Sequence, residues 1–214
     1  MTTHPRTIAK GGTHEIVIKK SRFVCALSRA TTELEARTAI ELVRKRNWDA
    51  NHNCSAYRVG PGGKFQRTSD DGEPAGTAGA PMLAVLTKRD LTDTVAVVTR
   101  YFGGVLLGAG GLIRAYGRAV SEAVEVAGIV ERRPLALVVV DADYAEAGRL
   151  EHALHTGGYQ IGSVTHDALV SFELPMSDTE LPAFEAWLAE TTNGHSRARI
   201  AGHTHVEVPI PPGD

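Results

Sequence analysis

The sequence predicts an α+β protein of two domains, the second a ferredoxin-like domain with the element order βαββαβ. The 214 residues are 43% hydrophobic and 22% charged, an ordinary globular composition for one or two domains. The first 133 residues contain 20 lysines and arginines against 13 carboxylates, a balance of +7, whereas the remainder contains three arginines against 12 carboxylates, a balance of −9. The pattern of predicted elements also changes at Arg132-Arg133-Pro134, so we place the domains at residues 1–133 and 134–214.

In the first domain, alternating hydrophobicity and turn residues predict four strands, and helical periodicity predicts three helices. The predicted strands are Glu15–Leu27, Asn53–Val59, Lys64–Thr68 and Thr94–Phe102, and Lys19-Lys20-Ser21-Arg22 form a polar interruption or bend within the first of them. The first helix opens at the capping box Thr32-x-x-Glu35, and the others are Ala78–Leu86 and the amphipathic Leu112–Ala127.

In the second domain, the same reasoning gives two helices and four strands in βαββαβ order, which is typical of ferredoxin-like domains. The elements are Leu135–Val140, Ala145–His155, Tyr159–Thr165, Ala168–Leu174, Thr179–Ala189 and Ala198–Val208.

The sequence favours a cytoplasmic protein without a membrane segment. No apolar run approaches the ~20 residues that a membrane helix requires. Residues 1–12 lack the apolar stretch of a signal peptide. We therefore expect Cys25 and Cys54 to be reduced thiols.

A glycine-rich segment lies between the strand ending at Phe102 and the helix beginning at Leu112. Its five glycines, Gly103, Gly104, Gly108, Gly110 and Gly111, fall within nine residues. Such a loop can bring backbone N–H groups against a phosphate, or simply permit a tight turn. A Walker A loop is excluded because Ala109 stands where its lysine belongs, and a dinucleotide fingerprint because Ile113 replaces the last glycine. Arg100, Arg114 and Arg118 favour anion binding.

A polar loop carries the acidic side chains Asp70, Asp71 and Glu73, followed by Thr77. A solvated turn or a helix cap is the preferred interpretation over a Mg²⁺ site, so no metal is expected. We expect Asp70–Gly79 to lie beside Gly103–Gly111 at one surface of the first domain, because both follow strands. His52-x-Cys54 resembles a Cys–His nucleophile, but such neighbours seldom align, and a buried structural cysteine is the preferred interpretation.

Two long motifs resemble the IMPACT/YigZ family. They are residues 69–83, Ser-Asp-Asp-Gly-Glu-Pro-x-Gly-Thr-Ala-Gly-x-Pro-Met-Leu, and residues 97–116, Val-Val-Thr-Arg-Tyr-Phe-Gly-Gly-Val-x-Leu-Gly-Ala-Gly-Gly-Leu-Ile-Arg-Ala-Tyr. His52-x-Cys54-x-Ala56-Tyr57 also matches. The resemblance spans the chain and implies that the first domain resembles the second domain of a small-subunit ribosomal protein. It also implies that the second domain is similar to elongation factor domain V. Eukaryotic members regulate translation by competing for an activator of the amino-acid-starvation kinase.

Two function hypotheses follow, and neither requires a cofactor. The first is a non-catalytic regulatory protein that binds RNA or the translation machinery through its basic first domain. Its phosphate contacts would come from the glycines of the loop and from five cations: Arg100, Arg114, Arg118, Lys64 and Arg67. The second is an enzyme that acts on a phosphorylated small molecule at Gly103–Gly111, with Asp70, Asp71 and Glu73 as a metal or base cluster.

Overall fold

The computed structural model describes residues 4–211, which divide into two compact units. The first unit extends to Arg132 and also includes the chain from Glu207 onwards, while the second unit is Arg133–Val206. Each unit has its own buried apolar core. The Glu207 carboxylate accepts hydrogen bonds of 2.7 and 2.8 Å from Arg29, which explains why the end of the chain belongs to the first unit. The predicted α+β fold with two domains is confirmed.

The first unit contains the strands β1 (Arg6–Ile8), β2 (Gly12–Ile18), β3 (Ser21–Arg29), β4 (His52–Val59), β5 (Phe65–Ser69) and β6 (Thr94–Tyr101), and the helices α1 (Glu33–Arg46), α2 (Gly79–Lys88) and α3 (Ala109–Ala127). Strands β2 to β6 form a five-stranded antiparallel sheet with the order β2-β3-β6-β4-β5, whereas β1 pairs with residues 129–131.

Helices cover both faces of this sheet, and the central strand β6 is accordingly buried on both sides. Ala96 and Val98 of β6 belong to the core that includes α2 and α3, whereas Val95 and Val97 pack with the residues of α1. Successive side chains of a strand point to opposite faces, so this alternation fixes which β6 residues lie beneath α3.

The structure refines the sequence prediction at two positions that matter for the site. The predicted segment Glu15–Leu27 is a hairpin of β2 and β3, and the bend expected at Lys19-Lys20-Ser21-Arg22 is its turn, in which Lys19 and Lys20 have φ of 45° and 66°. Helix α3 begins at Ala109 rather than Leu112, so part of the glycine-rich segment is helical.

The second unit has the predicted βαββαβ order, and its sheet has the strand order β10-β7-β9-β8. The elements are β7 (Ile129–Ala142), α4 (Tyr144–Thr156), β8 (Ser163–His166), β9 (Val170–Met176), α5 (Leu181–Thr191) and β10 (Ala198–Ile210). Strands β7 and β10 each contribute residues to both units. Among residues 4–211, no helix is long and apolar enough to cross a membrane.

Candidate nucleic-acid interface

We call residues 70–79 the acidic loop, and its first carboxylate, that of Asp70, binds the backbone at the start of α2. Asp70 Oδ1 accepts hydrogen bonds from the backbone N–H groups of Ala78 (3.0 Å) and Gly79 (2.8 Å), and Oδ2 accepts one from Gly76 (2.8 Å). Burial would raise the pKa of Asp70, but these three donors outweigh it and hold the pKa below its usual value. Asp70 therefore serves as the cap of α2.

The second carboxylate ties the same loop to α1 and β4. Asp71 Oδ2 accepts from the Asn53 N–H at 2.7 Å, and Oδ1 accepts from Arg44 at 3.0 Å. The carbonyl oxygen of Asp71 accepts a 2.8 Å hydrogen bond from His52 Nδ1. Thr77 is also used internally, since its hydroxyl donates to the Pro74 carbonyl at 2.6 Å.

The third carboxylate forms a buried ion pair with Arg100. Glu73 Oε1 accepts hydrogen bonds of 2.7 Å from both Arg100 Nη1 and the Tyr116 hydroxyl. The Arg100 guanidinium lies 5.4 Å from the ring centre of Phe23 and 5.6 Å from that of Phe102. With 5% of its surface exposed, Arg100 lies in the interior, and the phosphate contact predicted for it would require the ion pair with Glu73 to open.

Cys54 lies at the inner side of this network and is a poor nucleophile there. Its Sγ donates to the Asp70 carbonyl oxygen at 2.9 Å and lies 3.3 Å from the Tyr116 hydroxyl. Burial raises the pKa of the Cys54 thiol to about 12. His52 does not activate the thiol, because its Nδ1 bonds to Asp71 and its Nε2 lies 4.0 Å from the Glu73 carboxylate.

Both cysteines are expected to resist thiol reagents in the folded protein. Burial raises the pKa of Cys25 to about 12 as well, and each side chain is fully buried. Near pH 8 the thiolate fraction is then roughly a thousandfold below that of a free cysteine. Titration with a chromogenic disulfide should label neither thiol of the native chain and both thiols in denaturant. Labelling of the native chain at the rate of a free thiol would contradict this placement.

The acidic carboxylates point inward, whereas the glycine-rich segment is largely exposed. We call residues 103–111 the glycine loop. Glu73 bonds to the residues that flank this loop, Arg100 before it and Tyr116 after it, so the acidic loop lies against the base of the glycine loop. Within the described residues, no group of three or more His, Cys, Asp and Glu side chains is arranged to hold a metal ion.

The start of the glycine loop packs directly on the β2–β3 turn. A Cβ added to Gly103 would lie 2.0 Å from the carbonyl carbon of Lys20, so only glycine fits. The Gly103 N–H donates to the Ser21 hydroxyl at 3.2 Å. Gly104 and Gly108 have φ of 81° and 71°, a conformation that favours glycine.

The end of the glycine loop is the exposed first turn of α3. Gly108 provides no side-chain cap, and no acidic residue occupies the first turn, which contains Gly110 and Gly111. Arg114 lies over this turn, because its Nη1 is 3.5 Å from where a Cβ of Gly110 would be. The first N–H groups of a helix carry partial positive charge, and Arg114 adds a full charge beside them.

Three exposed cations flank the glycine loop without a counter-charge, and we call them the cationic patch: Lys19 and Lys20 at its start and Arg114 at its end. Their side chains make no ion pair within residues 4–211. Arg118 differs, since its Nε donates to Glu122 at 2.6 Å. The two lysines were not predicted as phosphate contacts, because nothing in the sequence indicates that Gly103 packs on their bend.

The other two predicted cations lie away from this loop. Lys64 precedes β5, at the far end of β4 from the glycine loop, and Arg67 pairs with Tyr57, which in turn lies opposite Val95 of β6. The six steps along the strand from Val95 to Tyr101 correspond to roughly 20 Å. The structure therefore does not bring Lys64 and Arg67 to the glycine loop.

Comparison with known proteins assigns this arrangement to a family. The model of the Impact N-terminal domain matches residues 19–124, and the model named Domain of unknown function (DUF1949) matches residues 140–195. The IMPACT family member YvyE of Bacillus subtilis is 48% identical over 201 residues, which cover 94% of this chain and 93% of that protein. The chain belongs to the IMPACT family.

Further relatives support the same assignment over most of the chain. The IMPACT family member YigZ of Escherichia coli is 36% identical and matches 83% of this chain and 88% of its own. A crystal structure of a hypothetical protein superposes with a TM-score of 0.59 at 33% identity, covering 94% of this chain and 99% of that chain. The Impact N-terminal match begins at Lys19 and thus contains the whole cationic patch and the glycine loop.

Proposed function

We propose that this IMPACT-family protein is a non-catalytic regulatory protein that binds RNA or the translation machinery through its first unit. The proposal rests on a difference between the acidic loop, whose side chains bind within the fold, and the glycine loop, whose neighbouring cations are exposed. The carboxylates and the thiol that an enzyme would use are engaged inside the fold, whereas the cations around the glycine loop are exposed and unpaired. A surface of this kind suits a phosphate backbone.

The electrostatic balance of the chain supports an anionic partner. The first 133 residues have a net charge of +7 against −9 for the remainder. At the glycine loop, exposed backbone N–H groups at the start of α3 lie next to Arg114, and Lys20 packs on Gly103 at the other end. One phosphate at each end of the loop would meet a cation, which favours a polyanion over a single small phosphate.

The proposal predicts salt-dependent binding that depends on the cationic patch. A fluorescently labelled single-stranded RNA titrated with the full chain should bind, with log K falling by roughly 0.7 per unit of log salt for each phosphate contact. The variant Lys19→Gln, Lys20→Gln, Arg114→Gln removes up to three contacts, so the slope should become shallower by about two.

A control variant removes the same charge elsewhere. Lys64→Gln, Arg67→Gln, Lys88→Gln also neutralises three exposed cations, but these lie away from the glycine loop. It should keep the wild-type slope. Equal losses in both variants would show that only net charge matters. Absence of salt-dependent binding in the wild type would favour the alternative, an enzyme acting on a phosphorylated small molecule at the glycine loop.

A further inference from the structure

An exposed tryptophan lies beside the start of the glycine loop. Trp48 has 83% of its surface exposed, although it belongs to the short connection between α1 and β4. Large aromatic side chains are mostly buried in folded proteins because their exposure to water costs free energy. Within the described residues, Trp48 makes no ring contact with another aromatic side chain. Both faces of its ring are therefore accessible to a partner.

The backbone that carries Trp48 is fixed on both sides. The Tyr101 hydroxyl donates to Asn47 Oδ1 at 3.3 Å, and the Phe102 N–H donates to Asn51 Oδ1 at 2.8 Å. The Asn51 N–H also donates to the Arg100 carbonyl at 3.1 Å. These bonds join the connection to the end of β6, where the glycine loop begins. Trp48 is thus a free side chain on a firmly held segment, next to the surface proposed to bind RNA.

The charges around Trp48 identify the chemistry of the partner. Lys45 and Arg46 occupy the last turn of α1, immediately before it, and their side chains make no ion pair within residues 4–211. The adjacent carboxylate of Asp49 accepts a 3.4 Å hydrogen bond from Tyr101. Phe102, which is 46% exposed, immediately precedes the glycine loop on the other side of this connection. Exposed aromatics among unpaired cations form the surface that stacks bases and holds phosphates.

We propose that Trp48 is a stacking platform for an unpaired base of a single-stranded RNA whose backbone follows Lys45, Arg46 and the cationic patch. This inference rests on the proposed function and specifies it further. The base must be unpaired, because the face of a base in a duplex is covered by its neighbours. A purely apolar protein partner would leave the flanking cations without counter-charges, which is why the surface favours a nucleic acid.

Fluorescence tests the stacking directly. The chain has two tryptophans, so Trp187→Phe leaves Trp48 as the sole emitter. In that variant, an oligouridylate of about a dozen nucleotides should quench Trp48 as it binds, whereas a duplex RNA of equal length should bind without matching quenching. Trp48→Ala should weaken binding of the oligouridylate by about 5- to 150-fold. The salt slope should stay unchanged, and Trp48→Phe should retain most of the affinity.

An exposed leucine of the same unit provides the matched control. Leu34→Ala removes another large apolar side chain, 76% exposed at the start of α1, and should leave the affinity unchanged. If the wild type binds the oligouridylate with salt dependence but Trp48→Ala binds equally and Trp48 is not quenched, stacking is wrong and RNA binding stands. If the wild type binds no RNA even at low salt, both the stacking role of Trp48 and the RNA binding of the proposed function are wrong.

Discussion

Replacing Glu73 by alanine is expected to destabilise the first unit by about 3–5 kcal/mol, because it leaves the buried Arg100 charge without its partner. The two side chains are 3% and 7% exposed and are joined by a 2.7 Å hydrogen bond, so water cannot compensate the lost carboxylate. Tyr116 loses its acceptor in the same variant. The measurement is the denaturant concentration at which Cys25 and Cys54 become reactive, which reports on the first unit alone.

Two further variants show whether the effect comes from the ion pair. Glu15→Ala breaks the exposed pair with Arg22, in which both carboxylate oxygens accept hydrogen bonds, and should cost less than about 1 kcal/mol. The double variant Glu73→Leu, Arg100→Leu removes both buried charges and should lose less stability than Glu73→Ala. Similar losses for Glu73→Ala and Glu15→Ala would contradict a structural role for the buried pair.

The position of Arg100 could have been predicted from its own strand, but that of its partner could not. Arg100 lies two and four residues after Val98 and Ala96 in the same strand. Since side chains two residues apart point to the same face of a sheet, Arg100 faces the core beneath α3. In the sequence, the positive charge of Arg100 favoured a role in phosphate binding. Glu73 lies 27 residues earlier, in a loop without periodicity, and nothing in the spacing indicates that it reaches Arg100.

The sequence predicts a bend at Lys19-Lys20, but it predicts neither a two-residue hairpin turn there nor the position of that turn beside the glycine loop. Two-residue hairpin turns favour Asn-Gly or Asp-Gly, whose residues adopt positive φ readily, whereas this hairpin turns at Lys19-Lys20. The close packing of Gly103 on Lys20 explains why this unusual turn is held in place. The glycine loop and Arg114 could therefore be predicted as phosphate contacts from the sequence nearby, whereas the contribution of Lys19 and Lys20 to the same surface could not.

The order of elements in the second unit was predictable because its signals are local, whereas strand β7 was not fully predictable. Helical periodicity and alternating strands gave βαββαβ directly. Residues Ile129 to Glu131 extend β7 beyond the predicted start at Leu135, since they pair with Arg6–Ile8 more than 100 residues earlier. Pairing between distant segments leaves no periodic trace in either segment.

Gly103→Ala is expected to destabilise the first unit by about 1–3 kcal/mol and to weaken RNA binding, because the new methyl group collides with backbone atoms. The added Cβ would lie 2.0 Å from the carbonyl carbon of Lys20, 2.1 Å from its oxygen and 2.5 Å from the Ser21 nitrogen. These atoms cannot rotate away as a side chain would, so the glycine loop must separate from the β2–β3 turn. The midpoint of thiol exposure and the RNA affinity of the same variant measure the two effects.

Gly117→Ala adds the same methyl group as Gly103→Ala, but it is expected to stabilise the first unit. Gly117 lies within α3, and a Cβ added there meets no atom within 4 Å. Alanine loses less backbone entropy than glycine on entering a helix, so this variant should be more stable by about 0.5–1 kcal/mol. Its RNA affinity should equal that of the wild type, since Gly117 lies outside the glycine loop. If both variants shifted stability in the same direction, the tight packing of Gly103 on Lys20 would not be what requires glycine there.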